Sequence, residues 1–410
     1  MGDNTMKIRI SRTGVIQVAL IYLCFLNTSS RALSMLGKGL TIATFAICLL
    51  CLVTKRVKMS DKFFGFIAAF FAVLLFQHTI IQQNISIVSL ANLLTQFLIA
   101  YCAVKIDTAS FIKRFVGVTV FLATASLIFF AISLTPASVV LTKMLLPNDA
   151  HNWTNRVSYG RFLYHYMIGY PRNVGIFREP GVFQLFLNLS LFLTLFFPHF
   201  FTQREKNRYA IILLLTIITA ASTAGYLTAI IILCGYVINN RKKLSSRNVL
   251  MLLGCLLAAA IFTQTELFEK VFLAKMAFSN GSFETGTGNA RLASVLIDLK
   301  YISNNIWGYG FNAEWNNALT NINTQEVGSS CGLSAVVVAY GIPLSIVLYA
   351  VYIWAFKKVS TNNVMFITLL LIFISSFLSQ PWVLTPSFLV MLAYGFCIND
   401  YDKNLDCYSR

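Results

Sequence analysis

Three charged residues, Arg172, Arg178 and Glu179, fall within eight positions in "YPRNVGIFREPG" (170–181), and no acidic or basic residue follows until Arg204. A membrane helix has no structural need for such a group at its start. Arginine presents a planar fork of five donors that matches phosphate. Pro180 suits the first position of a helix, with Glu179 at its cap. The N-terminus of that helix would add partial positive charge and free N–H groups. These features predict a site where a diphosphate at a membrane surface would meet helix dipole and guanidinium together; a local Arg178–Glu179 pair that caps the helix is the alternative.

Upstream, "HNWTNRVSYGRFLYHYMIGYPRNVGIFREPG" (151–181) interleaves Arg156 and Arg161 with seven aromatic residues. Tyr166 and Tyr170 are candidate substrate contacts with these arginines, and an interfacial aromatic belt with snorkelling arginines explains the same pattern. A second group lies in "GSFETGTGNARLASVLIDLKYISNNIWGYGFNAEW" (281–315). Leu292, Val295, Leu296, Leu299 and Ile302 form an apolar stripe that predicts a helix over about 290–303. Arg291 and Asp298 share its other face, and "WGYG" (307–310) ends it in a turn that contains Tyr309. A helix lying on the membrane would turn Arg291 toward the first group; an ordinary amphipathic surface helix has the same pattern.

These residues must be positioned by membrane helices. The chain has 410 residues, of which 57% are hydrophobic and 11% charged, and its mean hydropathy is +0.71. Soluble domains carry about 25% charged residues. The composition predicts one integral membrane domain over residues 1–410, of all-α polytopic class. Approximate spans are 14–30, 36–53, 63–81, 85–104, 115–135, 181–201, 209–223, 225–239, 248–264, 331–356, 363–379 and 384–398, twelve in all. The first follows Lys7, Arg9 and Arg12 without a small-residue cleavage site, so it reads as a retained span.

With both termini cytoplasmic, the inner segments hold 21 of the 32 lysines and arginines, and every basic inner loop is short. That distribution fits the positive-inside rule. It also assigns the net charge of +17 to topology rather than to nucleic acid. Two outer segments, about 136–180 and 266–330, are far longer than the other connections, and loops of that length usually carry function. They hold nine of the eleven outer basic residues and all eight outer acidic ones. The cysteines show no metal spacing, and "DYD" (400–402), His78, His151 and His199 form no ligand set. No P-loop, nucleophile elbow or HExxH occurs. Neither metal nor cofactor is expected.

"RNVGIFREPGVF" resembles the R-x-x-G-x-F-x-E-P signature of bacterial O-antigen and capsular polysaccharide polymerases (the Wzy type), relatives of the O-antigen ligases. Arg172, Gly175, Phe177, Glu179 and Pro180 match it. "ITAASTAGYLTAII" (218–231) is similar to that family's next hairpin, with "STAG" where the family often has S-R-x-G. The resemblance covers roughly 170–360. It implies a GT-C-like architecture in the bacterial plasma (inner) membrane, with the active site on the extracytoplasmic side. It also implies donor and acceptor oligosaccharides on undecaprenyl diphosphate, membrane lipid as surroundings and a chain-length regulator as a candidate partner. Diphosphate is already a good leaving group, so the expected glycosyltransferase is metal-independent. Arg172, Arg178 and Arg291 would stabilise charge, with Glu179 as candidate base and Arg156, Arg161, Tyr166, Tyr170 and Tyr309 binding substrate. Ligases of this kind use a histidine in the second long loop, and 266–330 contains none. A flippase or other transporter shares the span count, but it usually places ionisable groups near the bilayer midplane. Here the polar span residues are mainly Gln77, Gln96, Gln184 and Asn188.

Overall fold

The computed structural model describes residues 12–54, 56–81, 86–151, 156–240, 287–310, 331–380 and 383–398; the expected span 248–264 lies outside them. The apolar runs become helices. They are α1 (Arg12–Leu26), α2 (Arg31–Leu36), α3 (Lys38–Val53), α4 (Asp61–Phe76), α5 (Ile87–Lys105), α6 (Thr108–Ser133) and α7 (Ser138–Met144). After the first long loop come α8 (Pro180–Phe196), α9 (Gln203–Ala220), α10 (Thr223–Asn239), α11 (Thr287–Asn304), α12 (Gly332–Val359), α13 (Asn363–Phe377) and α14 (Pro386–Cys397). Among the described residues four helices are long and apolar enough to cross a membrane: Asp61–Ile80, Ile87–Lys105, Thr108–Ser133 and Gly332–Val359. Six shorter apolar helices of 10–17 residues accompany them.

The molecule is therefore mostly helical and has the helices of a membrane protein. One departure from an all-α reading is a small sheet in the first long loop. Its strands β1 (Pro147–His151), β2 (Arg156–Tyr159) and β3 (Tyr166–Met167) pair antiparallel in that order. The β-branched and aromatic residues of "RVSY" suit a half-buried ribbon, and Tyr159 stacks on Tyr166 across it at 6.1 Å.

Helix α8 is the axis of the bundle, since every residue from Pro180 to Phe196 is buried. A helix without charge and apolar on nearly every face belongs inside a helical assembly, and α6, α9, α10 and α13 surround this one. Phe25, Phe177 and Phe186 form an aromatic stack beside it, with Phe186 at 4.1 Å from Phe25 and 5.2 Å from Phe177. Outward-facing Ile42, Leu50, Val53 and Phe64 leave α3 and α4 with an exposed apolar surface suited to lipid.

Helix α12 is broken. Gly341 has φ 78° and ψ 163°, a conformation essentially confined to glycine, and Pro343 follows. The "WGYG" turn fills the break. Tyr309 N donates to Val338 O and Gly310 N to Ala339 O, both at 2.8 Å, while Ile342 N donates to Ile306 O at 2.8 Å. Gln77, at the single π-turn that ends α4, donates its amide to Tyr340 O at 3.1 Å. Ser345 and Tyr349 reach back to Val336 O and Leu333 O. Irregular backbone at membrane depth survives only where protein satisfies it, and here loop, neighbouring helix and side chains share that task. A Cβ on Gly341 would sit 2.5 Å from the Trp307 carbonyl carbon, so turn and break interlock.

Candidate functional site

The segment that leads into α8 is fastened from three directions. Asn173 N donates to Thr219 O at 3.0 Å, and its side-chain amide donates to Ser126 Oγ and Thr219 Oγ1. His165 N donates to Gly175 O at 2.7 Å, and His165 Nδ1 lies 2.9 Å from Phe177 O. On the third side, Arg31 N donates to Ile176 O and Arg178 N donates to Ser29 O, at 3.0 and 3.1 Å. Gly175, at φ 58°, packs so closely on the Phe183 ring that a Cβ would lie 2.9 Å from it.

This clamping divides the two arginines. Arg172 turns to the α9–α10 junction, where Nη2 donates to Ala221 O at 2.7 Å and Nε to Ala220 O at 3.4 Å. It thereby covers the carbonyl end of α9, where a cation is favoured. Arg178 turns instead into a cavity of about 380 Å³. Among the described residues its side chain makes no hydrogen bond or ion pair. The walls are the end of α1 with α2 (Asn27, Ser30, Ser34), the start of α5 (Ser89, Asn92, Gln96), Tyr340 at the break of α12, and Thr385 before α14. Of the thirteen described residues that line it, eight are neutral and polar, one is cationic and none is acidic, so the cavity favours an anion bearing hydrogen-bonding groups. Ser29, another wall residue, has φ 48°, an uncommon value for a side-chain-bearing residue.

The other expected residues are placed as follows. Glu179 is the N-cap of α8 with Pro180 at the first position, as the sequence suggests, yet its carboxylate makes no capping hydrogen bond. It does not line the cavity. Tyr166 is 7% exposed and packs with Phe130, Leu141 and Tyr164 in the core of the loop. Tyr170 accepts from Arg172 Nη1 at 3.4 Å. Tyr309 packs edge-on against Tyr301 at 5.2 Å and belongs to the turn that mends α12. Burial at Tyr164 pushes its phenol upward, in keeping with a packing role. Arg161 is half-buried in the loop, and its Nε has no partner among the described residues. The side chains of Arg156 and Arg291 lie outside the described residues, although the backbones of both are described in β2 and α11.

Helix α11 runs as expected, from Thr287 to Asn304, but its stripe is rotated. Leu296 and Leu299 are each 53% exposed, while Asp298 is fully buried and accepts from Ser334 Oγ at 2.5 Å. Ile297, Tyr301 and Ile302 pack on Ala335 and Val338 of α12. The helix docks by its mixed face, because a hydroxyl in α12 satisfies the carboxylate, and the leucines are left outward.

Sequence reasoning missed most of the cavity. Ser89, Asn92 and Gln96 recur at helical spacing within an apolar span, and "YGIP" (340–343) interrupts another. Those were the available signals. No family model matches the chain, and no curated protein matches it.

Proposed function

We propose that the chain is a glycan polymerase of the outer face of a bacterial plasma membrane, a GT-C-like member of the O-antigen and capsular polymerases. In this reading the bundle has twelve spans and cytoplasmic termini, and the cavity opens on the extracytoplasmic side. Donor and acceptor are both oligosaccharides on undecaprenyl diphosphate. The bond between the donor's anomeric carbon and the phosphate oxygen breaks, and the acceptor's sugar hydroxyl forms the new C–O bond. Undecaprenyl diphosphate leaves with the negative charge, and the hydroxyl proton passes to a base.

The observation that supports this reading is that, among the described residues, the Arg178 guanidinium is unpartnered and the polar cavity it lines has no carboxylate in its wall. A preorganised donor aimed at developing charge is the largest single catalytic contribution in many enzymes. Arg172 acts as a positioning residue, holding the 172–178 segment against α9. Glu179 remains the adjacent carboxylate and the candidate base. Arg291 would complete the anion site from α11, which packs on α12 beside the wall residue Tyr340.

Surface-glycan profiling of a deletion strain tests the assignment. Loss of a polymerase leaves single repeat units on the surface lipid. Loss of a flippase leaves none, and an unchanged ladder refutes the proposal.

A further inference from the structure

Two groups in the cavity wall are unexplained by anion binding. Asn27 is 2% exposed and Gln96 is 6% exposed, both line the cavity, and the side-chain carbonyl oxygen of each has no hydrogen-bond donor. Their amide nitrogens are engaged: Asn27 Nδ2 donates to Leu23 O and Thr44 Oγ1, each at 2.9 Å, and Gln96 Nε2 donates to Asn92 Oδ1 at 3.2 Å. Buried acceptors left without a donor are rare and costly. Both oxygens are themselves buried, so a ligand that supplies hydroxyl donors satisfies them once the two terminal amides turn toward the cavity. Ser89, Asn92 and Gln96 present one polar face of an otherwise apolar α5, opposite Ser30 and Ser34. Hydroxyls and amides around one cation suit a polyol ring attached to phosphate.

We propose that the cavity is a glycosyl-phosphate subsite, in which Arg178 holds the phosphate and Asn27, Asn92 and Gln96 select an uncharged sugar attached to it. The proposal rests on the reading of the chain as acting on lipid-diphosphate glycans. Gln96 is the specificity-determining residue best suited to a test, because its amide makes only a local bond within α5.

The probes are citronellyl diphosphate and its conjugates with glucose, galactose, N-acetylglucosamine and glucuronic acid, bound to the full chain in nanodiscs. At least one neutral-sugar conjugate is expected to bind tenfold or more tightly than citronellyl diphosphate, and the glucuronic acid conjugate is not. Gln96→Leu removes that preference and leaves binding of citronellyl diphosphate unchanged, whereas Arg178→Ala weakens both. Asn92→Leu, at an exposed wall position, is expected to reduce the same preference and provides a second variant should Gln96→Leu fail to fold. Lack of preference for any neutral sugar overturns the subsite, as does an equal loss for all probes on Gln96→Leu. Equal displacement of the neutral-sugar conjugate by phosphatidylglycerol would instead mark a phospholipid-headgroup site and also overturns it. If the subsite fails while Arg178→Ala still weakens citronellyl diphosphate, the polymerase reading stands; if citronellyl diphosphate does not bind the wild-type chain, both fail.

Discussion

The two ends of the bundle treat charge in opposite ways. At the end where α5 passes into α6, Arg114 donates to Gln17 and, at 2.5 Å, to Asp107. Gln17 in turn donates to Ala103 O and Asp107 O, both at 2.8 Å, and Asp107 caps α6 through Ser110 N. Lys113 pairs with Glu205, which closes a capping box with Thr202 at the start of α9. Here the charged groups hold helix ends together. At the cavity end Arg172 does similar work, but Arg178 faces a cavity with no acidic side chain among the described residues that line it. A guanidinium whose donors are engaged by protein has little left for a ligand. Arg178, unpartnered among the described residues, keeps its donors available for one.

That contrast can be broken or sharpened by substitution. The largest effect is expected from Arg178→Ala, which should reduce long-chain glycan on the order of 100-fold, the loss typical of removing one oxyanion donor. The variant should be present in the membrane at the normal level, because no side-chain partner among the described residues is lost. A gel ladder with a matched immunoblot reads both quantities. Next comes Gly341→Ala, which places a side chain in a glycine-only conformation against the Trp307 backbone. It should lower stability by at least about 2 kcal/mol, seen as a lower melting temperature in detergent, and activity should fall with it.

Arg172→Ala should cost about 1–3 kcal/mol by leaving the Ala220 and Ala221 carbonyls without their donor. If Arg172 only positions the segment, activity per folded molecule should drop far less than in Arg178→Ala. Equal specific losses would erase the distinction between the two arginines. The smallest effect concerns pH at the paired end. Partial burial raises the Asp107 pKa, but hydrogen bonds from Arg114 and Ser110 outweigh it and hold the carboxyl below its usual range. A lowered folded-state pKa contributes stability that is complete above the unfolded value of about 3.9 and is lost as pH falls through the folded value. The melting temperature of Asp107→Asn should therefore depend less on pH below about 4 than that of the wild type.

Much of this architecture is legible in the sequence, and the reasons are physical. Apolar runs bounded by charge fix where the helices lie, so α4, α5, α6 and α12 coincide with expected spans. Pro180 after Glu179 announces the start of α8 correctly. The residues of the signature resemblance make packing and capping contacts: Gly175 meets the Phe183 ring, Phe177 stacks on Phe186, and Arg172 donates to the carbonyl at the end of α9. Arg178, at an unspecified position of that signature, is the residue that reaches the cavity. What the sequence hides is convergence. Asn27, Gln96 and Tyr340 come from three distant parts of the chain, and only packing brings them to one wall. The face that α11 buries is hidden for a similar reason, since Ser334 on another helix makes burial of Asp298 acceptable.

The most direct measurement is reconstitution. The purified full chain, placed in lipid vesicles with undecaprenyl-diphosphate-linked repeat units from its host, is assayed for product length in the presence of a chelator. A ladder of polymer from the wild type, with only single units from Arg178→Ala, is the predicted result. No ladder from the wild type, or the same ladder from both, would contradict the claim that Arg178 supplies the charge stabilisation for glycan transfer.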